Sequence, residues 1–275
     1  MISLICTSYN RFNEVEEFLS SLRDQTLSKE DFELIFVDQS DGAFKEIINR
    51  FPDLNIVHLI FHKCCLSEAR NLGMLKSRGN IYGFPDDDCK YYSHTLQCVL
   101  GFFKKELSCS TVIGKIYDIK KEKKIMKNWP DRVKEVSKYN FYALCSSITI
   151  FTKKRDYFNE QLGAGATYGS CEDVDFLYRK ILQENILYTP EIIVWHPEYT
   201  LLDMTKIKSF NYGLGFGRFH KINISFFLFF HYLLGNFYIF SRLLITLFKF
   251  DFNSALILLY SLKGRVIGFL SKEKS

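Results

Sequence analysis

The segment "GNIYGFPDDDCKYY" (residues 79–92) places three consecutive aspartates directly after a short apolar run. Adjacent carboxylates repel one another, and the repulsion raises their pKa values unless a positive charge lies nearby. The residues alone allow two interpretations of this segment: a solvated turn, or a site for a divalent cation. Its position in the predicted fold bears on the choice.

The first half of the chain alternates between strand-like and helix-like segments. Runs rich in strand-forming residues lie at 2–8, 32–38, 54–61 and 80–84. Segments with helical spacing or composition lie between them, at 13–25, 43–50 and 66–77. This alternation predicts right-handed βαβ units, and therefore an α/β fold with a Rossmann-like, mostly parallel central sheet flanked by helices. Further strands are expected at 110–119, 142–151 and within 185–198, and a glycine-rich loop leads into a helix within 163–182.

Polar clusters follow three of the predicted strands. They are "TSYNR" (7–11), "DQSDG" (38–42) and "PDDDC" (85–89). Ligands of open α/β sheets bind beyond the carboxyl ends of the strands, so the three clusters form one candidate site. The first βα turn lacks GxGxxG and no GxxxxGK[ST] occurs, so a bound nucleotide would be held in another way.

Asp86 and Asp88 have the spacing of a paired metal ligand. Residues two apart in an extended segment point to the same side, while the residue between them points away. Hard carboxylate oxygens suit Mg²⁺ or Mn²⁺, which can also bind a substrate diphosphate. The sequence leaves open which two of Asp86, Asp87 and Asp88 act.

A second acidic pair, Glu172 and Asp173, opens the helix that follows the glycine-rich loop. Acidic residues are common in a helix's first turn because the macrodipole favours them, so an ordinary helix start is one interpretation. The other is a general base, which must be a positioned carboxylate or histidine. His196, after the last predicted strand, is either a packing residue or a metal ligand.

Together these segments resemble a family 2 glycosyltransferase of the GT-A fold. The matching pieces are "TSYNR", "FELIFVDQSDG", "LSEARNLGMLKSRGNIYGFPDDD", "GSCEDVDFLYRK" and "VWHP", and they span residues 1 to about 200. The later "YGLGFGRF" and the hydrophobic tail resemble bacterial enzymes of surface-polysaccharide assembly. The resemblance implies inverting transfer of a sugar from a nucleotide-diphosphate sugar to a glycan acceptor, which we expect to be lipid-linked.

The resemblance also implies roles for individual residues. The residues implied in donor binding are Thr7, Tyr9, Arg11, Asp38, Arg70, Asp86 and Asp87. Of these, Asp38 would contact the base and Arg70 the phosphates. Asp88 and His196 would hold Mn²⁺ or Mg²⁺. Asp173 would be the general base, with Glu172 helping to hold the acceptor.

The residues alone do not exclude two other classes of protein. A nucleotidyltransferase also needs a base-binding α/β domain and acidic metal ligands, but "TSYNRFNE" lacks its glycine-rich basic signature. A non-catalytic, membrane-associated binding protein would leave the acidic clusters merely solvated.

The composition indicates which partners and which cellular compartment to expect. The net charge is +5 and the basic residues are scattered, so no nucleic-acid partner is expected. Eight cysteines without a CxxC pair indicate a reducing compartment. The N-terminal residues lack the features of a signal peptide, and we expect a cytoplasmic location.

The tail differs from the rest of the chain. We expect a catalytic domain over 1–200 and a helical, membrane-associating extension over 201–275. The apolar runs 224–248 and 255–270 include cationic residues, which suits helices lying in the interface of an anionic leaflet. The prediction is peripheral docking on the inner face of the plasma membrane. A single span is possible by length, and a helical pair packed on the catalytic domain is the alternative.

Overall fold

The computed structural model describes residues 1–198 and 200–272. The chain forms two compact units, each described by itself below. The sheet unit comprises residues 1–64, 68–158 and 176–198. The tail unit comprises residues 65–67 and 159–175 together with the described part of 199–275.

In the part of the chain that the structure describes, the sheet contains ten strands. They are β1 (Ile2–Ser8), β2 (Phe32–Asp38), β3 (Ile56–Ile60), β4 (Ile81–Gly83), β5 (Lys90–Tyr91), β6 (Thr111–Asp118), β7 (Lys123–Lys124), β8 (Lys134–Glu135), β9 (Ile150–Thr152) and β10 (Ile186–Trp195). Their order is β3-β2-β1-β4-β9-β6-β10-β5, with β7 paired to β6 and β8 to β10. Strands β3, β2, β1 and β4 are parallel, as are β6 and β10, and β9 runs antiparallel between the two groups.

Nine α-helices accompany the sheet in the described residues. They are α1 (Phe12–Arg23), α2 (Lys45–Ile48), α3 (Leu66–Lys76), α4 (Thr95–Lys105), α5 (Phe141–Leu144), α6 (Glu172–Ile181), α7 (Lys206–Ile222), α8 (Phe226–Phe248) and α9 (Phe252–Leu270). Helix α1 buries Val15, Phe18, Leu19 and Leu22, the helical spacing seen in the sequence.

The core of the sheet unit lies around β1 and β2. Every residue of both strands is buried, because the strands are covered on both faces. Gly73 of α3 shows how closely a helix packs there, since an added Cβ would lie 2.5 Å from a methyl group of Ile5. This tight packing fixes the carboxyl ends of the central strands.

The strand predicted at 142–151 is mostly wrong. Phe141 and Leu144, three residues apart, are both buried by the short helix α5, and a 3₁₀ turn follows at Ser147–Thr149. Only Ile150–Thr152 pairs with β4 and β6. The helix predicted at 43–50 is likewise reduced to Lys45–Ile48.

The tail unit contains α7, α8 and α9. Glycines line the contact between α7 and α9: a Cβ added at Gly213, Gly217, Gly264 or Gly268 would lie 2.1–2.3 Å from a carbonyl oxygen of the facing helix. The two backbones therefore touch, which only glycine permits at these positions. Among the described residues, α8 is the one helix long and apolar enough to cross a membrane, and 17% of its apolar window is buried.

Candidate active site

The three polar clusters meet at the carboxyl edge of the parallel strands. Ser8, at the end of β1, lies in register with Asp38 at the end of β2. The Ser8 hydroxyl donates a hydrogen bond to Asp87 Oδ2 at 2.7 Å. Arg11 donates to Asp87 Oδ1 at 2.6 Å and to Asp88 Oδ2 at 2.9 Å. Residues far apart in the sequence thus converge on the aspartate run.

Asp86, Asp88 and His196 form a group that could hold a metal ion. One ligand atom from each lies within 4.8 Å of the others. His196 is brought there by the end of β10, which runs parallel to β6. Its Nδ1 donates to the carbonyl oxygen of Pro197 at 2.7 Å, and its Nε2 lies 3.3 Å from Asp88 Oδ1. The Pro197 contact orients the ring so that Nε2 faces the carboxylates.

The middle aspartate differs from Asp88 in the direction of its pKa shift. Burial raises the pKa of Asp87 to about 6, against the hydrogen bond from Ser8 and the charge of Arg11. Burial also acts to raise the pKa of Asp88, but the bonds and charges of His196 and Arg11 outweigh it and lower the pKa. The pKa of His196 is raised: burial opposes this, and the Asp88 carboxylate outweighs burial. A protonated His196 would pair with the Asp88 carboxylate, whereas the neutral ring offers its Nε2 as a metal ligand.

Arg70 holds the remaining aspartate. Its side chain is fully buried, and its Nη2 donates to Asp86 Oδ1 at 2.7 Å and to Ser147 Oγ at 3.1 Å. Arg11, Arg70 and His196 together supply the positive charge that three adjacent carboxylates need. The aspartate run is therefore a charge-balanced cluster, in which Asp87 is buried and the Asp86 side chain is 35% exposed, and not a solvated turn.

The predicted nucleotide pocket contains contacts that the sequence did not reveal. Thr7 accepts a hydrogen bond from Gln39 Nε2 at 2.7 Å, and Gln39 Oε1 accepts one from the Cys64 backbone at 2.8 Å. Tyr9 is 43% exposed, and the Lys63 ammonium lies 3.9 Å from its ring centroid. Gln39 thus ties the first polar cluster to the second.

Asp38 is fully buried and already holds several donors. Its Oδ1 accepts from the Ser40 backbone at 2.7 Å, and His58 Nε2 lies 2.9 Å from its Oδ2. Because a carboxylate only accepts, His58 donates from Nε2. The only clue to this contact is the place of His58 in β3, beside the strand that ends at Asp38.

The second acidic pair lies in the tail unit, in the first turn of α6. Gly163 and Gly165 adopt φ values of +106° and +80°, so the preceding loop needs glycine there. Cys171, directly before the helix, has φ of 67° although it carries a side chain. Asp173 accepts a hydrogen bond from the Val174 backbone at 2.8 Å. The assigned roles of Glu172 and Asp173 stay predictions.

The model of the family described as "Glycosyl transferase family 2" matches residues 3–168. The match covers more than half of the chain, so the chain belongs to glycosyl transferase family 2. The matched region contains the polar clusters after β1, β2 and β4.

Three known proteins illustrate the similarity. The minor teichoic acid biosynthesis protein GgaB of Bacillus subtilis is 32% identical over 106 residues, which is 37% of this chain. The chain spans only 12% of the length of GgaB. The mannosyltransferase PcManGT of Pyrobaculum calidifontis, solved with GDP-Man and Mn²⁺, has a TM-score of 0.66 and 13% identity, over 99% of this chain and 88% of that one. S. aureus TarS 1–349, solved with UDP-GlcNAc, has a TM-score of 0.57 and 14% identity, over 98% and 89%. The two structures confirm the predicted GT-A fold.

Proposed function

We propose that the protein is an inverting, metal-dependent glycosyltransferase. It would move a sugar from a nucleotide-diphosphate sugar to a lipid-linked saccharide in surface-polysaccharide synthesis. The observation that carries the proposal is the convergence of Asp86, Asp88 and His196 at the carboxyl edge of the sheet. A solvated acidic turn would not need two buried or half-buried arginines and a histidine around it.

The residues present suit a divalent cation. Two carboxylate oxygens and an imidazole nitrogen are an ordinary donor set for Mn²⁺, and the oxygens also suit Mg²⁺. When bound there, the ion would supply positive charge that offsets the charge of a leaving diphosphate. Arg70, held on Asp86, and Arg11, held on Asp87 and Asp88, keep the three carboxylates in place for that task.

The proposal assigns the proton transfer to Asp173. Its carboxylate would take the proton of the acceptor hydroxyl, and Glu172 would hold the acceptor beside it. A positioned base of this kind typically contributes about a hundredfold to ten-thousandfold in rate. GDP-Man and UDP-GlcNAc, which are bound in the two similar structures, are the donors to test first.

The proposed docking surface is the outer face of α8 and α9. Along α8, a helical stripe of large apolar side chains is exposed: Phe226, Phe230, Leu233, Phe237, Phe240 and Phe248. Residues 199–275 carry ten Lys or Arg and three Asp or Glu, whereas residues 1–198 carry 26 and 28. An apolar helix face in a segment with net positive charge suits the interface of an anionic leaflet. We propose peripheral docking on the inner face of the plasma membrane, near a lipid-linked acceptor.

Thermal denaturation tests donor and metal binding together. We expect UDP-GlcNAc or GDP-mannose to raise the melting temperature in the presence of Mn²⁺ and to lose this effect in EDTA. Asp88→Ala should lose the Mn²⁺-dependent shift, whereas Asp131→Asn, which changes an exposed aspartate of the sheet unit, should keep it. The absence of any shift with UDP, GDP or either sugar nucleotide would favour the non-catalytic interpretation.

Vesicle flotation tests the docking proposal. The full chain should float with phosphatidylglycerol vesicles and much less with phosphatidylcholine vesicles. Phe237→Glu should weaken flotation, whereas Leu107→Glu, at an equally exposed apolar position of the sheet unit, should not. Solubility without vesicle binding contradicts the docking proposal. Resistance to alkaline carbonate in membranes would instead indicate that α8 spans the bilayer.

A further inference from the structure

The turn that precedes α6 has an unusual backbone. Cys171 is a buried, non-glycine residue with φ of 67°, a conformation that costs energy and persists only where the surroundings impose it. The next two residues are Glu172 and Asp173, so the direction of this turn decides where both carboxylates point. The contacts that impose it come from α7, within the same tail unit.

Helix α7 lies directly against this turn. An added Cβ on Gly215 would lie 2.3 Å from the carbonyl oxygen of Ser170, and one on Gly169 would lie 2.7 Å from Cβ of Asn211. The Ser170 hydroxyl donates to the carbonyl oxygen of Tyr212 at 3.0 Å. The turn and the helix therefore meet backbone to backbone, with no room for a side chain at Gly215.

A second contact, at the C-terminal end of α7, holds the first turn of α6. Asn223, the residue that caps α7, donates from Nδ2 to Asp175 Oδ1 at 2.8 Å. Asp175 is 2% exposed, so this hydrogen bond lies in a buried place where its loss is costly. Contacts at Gly215 and at Asn223 thus bracket Glu172 and Asp173.

Helix α7 is itself held in place by α9. The glycine contacts between the two helices leave no gap, and a shift of α7 would need α9 to move with it. Helix α9 also carries part of the apolar surface proposed to dock on the membrane.

We propose that α7 positions the catalytic base, with Gly215 and Asn223 as the positioning residues. Helix α7 orients the Ser170–Cys171 turn, and through this turn the Asp173 carboxylate. The base would therefore belong to the same tail unit that docks on the lipid surface through α8 and α9. The inference rests on the proposed function, because it presumes that Asp173 is the base.

The first test is Gly215→Ala. A Cβ at this position forces the Ser170 turn to move, and a displacement near 1 Å at a reacting group can cost about a hundredfold in rate. We expect turnover of UDP-GlcNAc or GDP-mannose, with membranes as acceptor and Mn²⁺ present, to fall by roughly that factor while the donor KM stays unchanged. Gly101→Ala is the control, since an added Cβ there meets nothing within 4 Å.

The second test is an exchange of the hydrogen-bonded pair. Asn223→Asp removes the donor and places two carboxylates together, so turnover should fall at unchanged donor KM. The double variant Asn223→Asp with Asp175→Asn restores an amide–carboxylate pair in the reverse order, and turnover should recover. A role in stability alone predicts that Asn223→Asp lowers the melting temperature without changing turnover per folded molecule, and that result overturns the inference.

A third measurement does not depend on activity. Cys171 is buried within this turn, so a displacement of the turn should make its thiol react faster with a thiol reagent. The rate of the other cysteines, measured in a Cys171→Ser variant, is subtracted. An unchanged Cys171 rate in Gly215→Ala, or a faster rate with wild-type turnover, overturns the inference. Asp173→Asn tests the proposed function separately. Wild-type turnover in that variant would show that Asp173 is not the base, whatever the result for Gly215→Ala.

Discussion

The two acidic clusters of the molecule are held in different ways. Asp86, Asp87 and Asp88 lie among Arg11, Arg70 and His196, so their charges are neutralised by side chains from distant parts of the chain. Glu172 and Asp173 lie at a helix start, where the backbone turn at Cys171 sets their direction. The first cluster therefore depends on balanced charge and the second on backbone shape. Substitutions in the two should fail in different ways.

The largest effect is expected at Asp88. Asp88→Ala removes the proposed metal ligand and the partner of His196, and sugar transfer should fall below detection. The melting temperature should fall only modestly, since Arg11 keeps its contact with Asp87. Nucleotide release from UDP-GlcNAc or GDP-mannose, with and without EDTA, measures the effect. Full activity of the variant in EDTA would mean that Asp88 holds no metal.

Asp173→Asn should act on turnover alone. The amide keeps the shape of the carboxylate and removes its basicity, so turnover should drop by about a hundredfold to ten-thousandfold. Donor binding, measured by the Mn²⁺-dependent thermal shift, should stay at the wild-type value, because the proposed base would act on the acceptor and not on the donor. Glu172→Gln is the neighbouring comparison and should lose less. Equal losses in the two variants would contradict the assignment of the base to Asp173.

A smaller effect is expected at His58, which holds Asp38. His58→Leu removes a donor to a fully buried carboxylate, and leaving such a group short of a partner costs about 1–3 kcal/mol. If Asp38 contacts the nucleotide base, the donor KM should rise several-fold with little change in kcat. His58→Gln keeps an amide donor and should recover part of both losses. A lower melting temperature with an unchanged donor KM would make His58 a purely structural residue.

The difference between the clusters also explains how much the sequence could predict. The strands, their parallel order near Asp38 and Asp86, and the family follow from periodicity and from motifs that are local in the chain. Three contacts could not be predicted in this way: Arg11 with Asp88, His58 with Asp38, and α7 with the Ser170 turn. Each joins residues that come together only in the folded backbone. The left-handed conformation of Cys171 is equally hidden, since cysteine has no preference for it. The strand predicted at 142–151 failed for a local reason: a short apolar run suits a helix turn as well as a strand.

Glu33 allows the effect of a balanced buried charge to be measured away from the candidate site. It is an acidic residue paired with a cation, near the opposite end of β2 from Asp38. Its side chain is fully buried and accepts hydrogen bonds from the Ser3 hydroxyl at 2.7 Å and from Arg78 Nε at 2.9 Å. Burial acts to raise its pKa, but these hydrogen bonds and the Arg78 charge outweigh burial and lower it from the ordinary 4.5.

A lowered pKa in the folded state makes a contribution to stability that depends on pH. The contribution is complete above the unfolded pKa of 4.5 and is lost as the pH falls through the lower folded value. Glu33→Gln should therefore lower the free energy of unfolding by about 1.5–3 kcal/mol at neutral pH, the usual worth of hydrogen bonds to a charged group. The difference from the wild type should shrink as the pH drops below about 4.5.

Urea unfolding at a series of pH values measures this difference. Glu16→Gln is the matched control, since Glu16 forms an exposed ion pair with Arg50 and its loss should cost less than about 1 kcal/mol at any pH. Sugar transfer per folded molecule should be unchanged in both variants, because neither residue belongs to the candidate site. A constant difference between wild type and Glu33→Gln across the pH series would show that packing, and not the buried charge, supplies the stability at this end of the sheet.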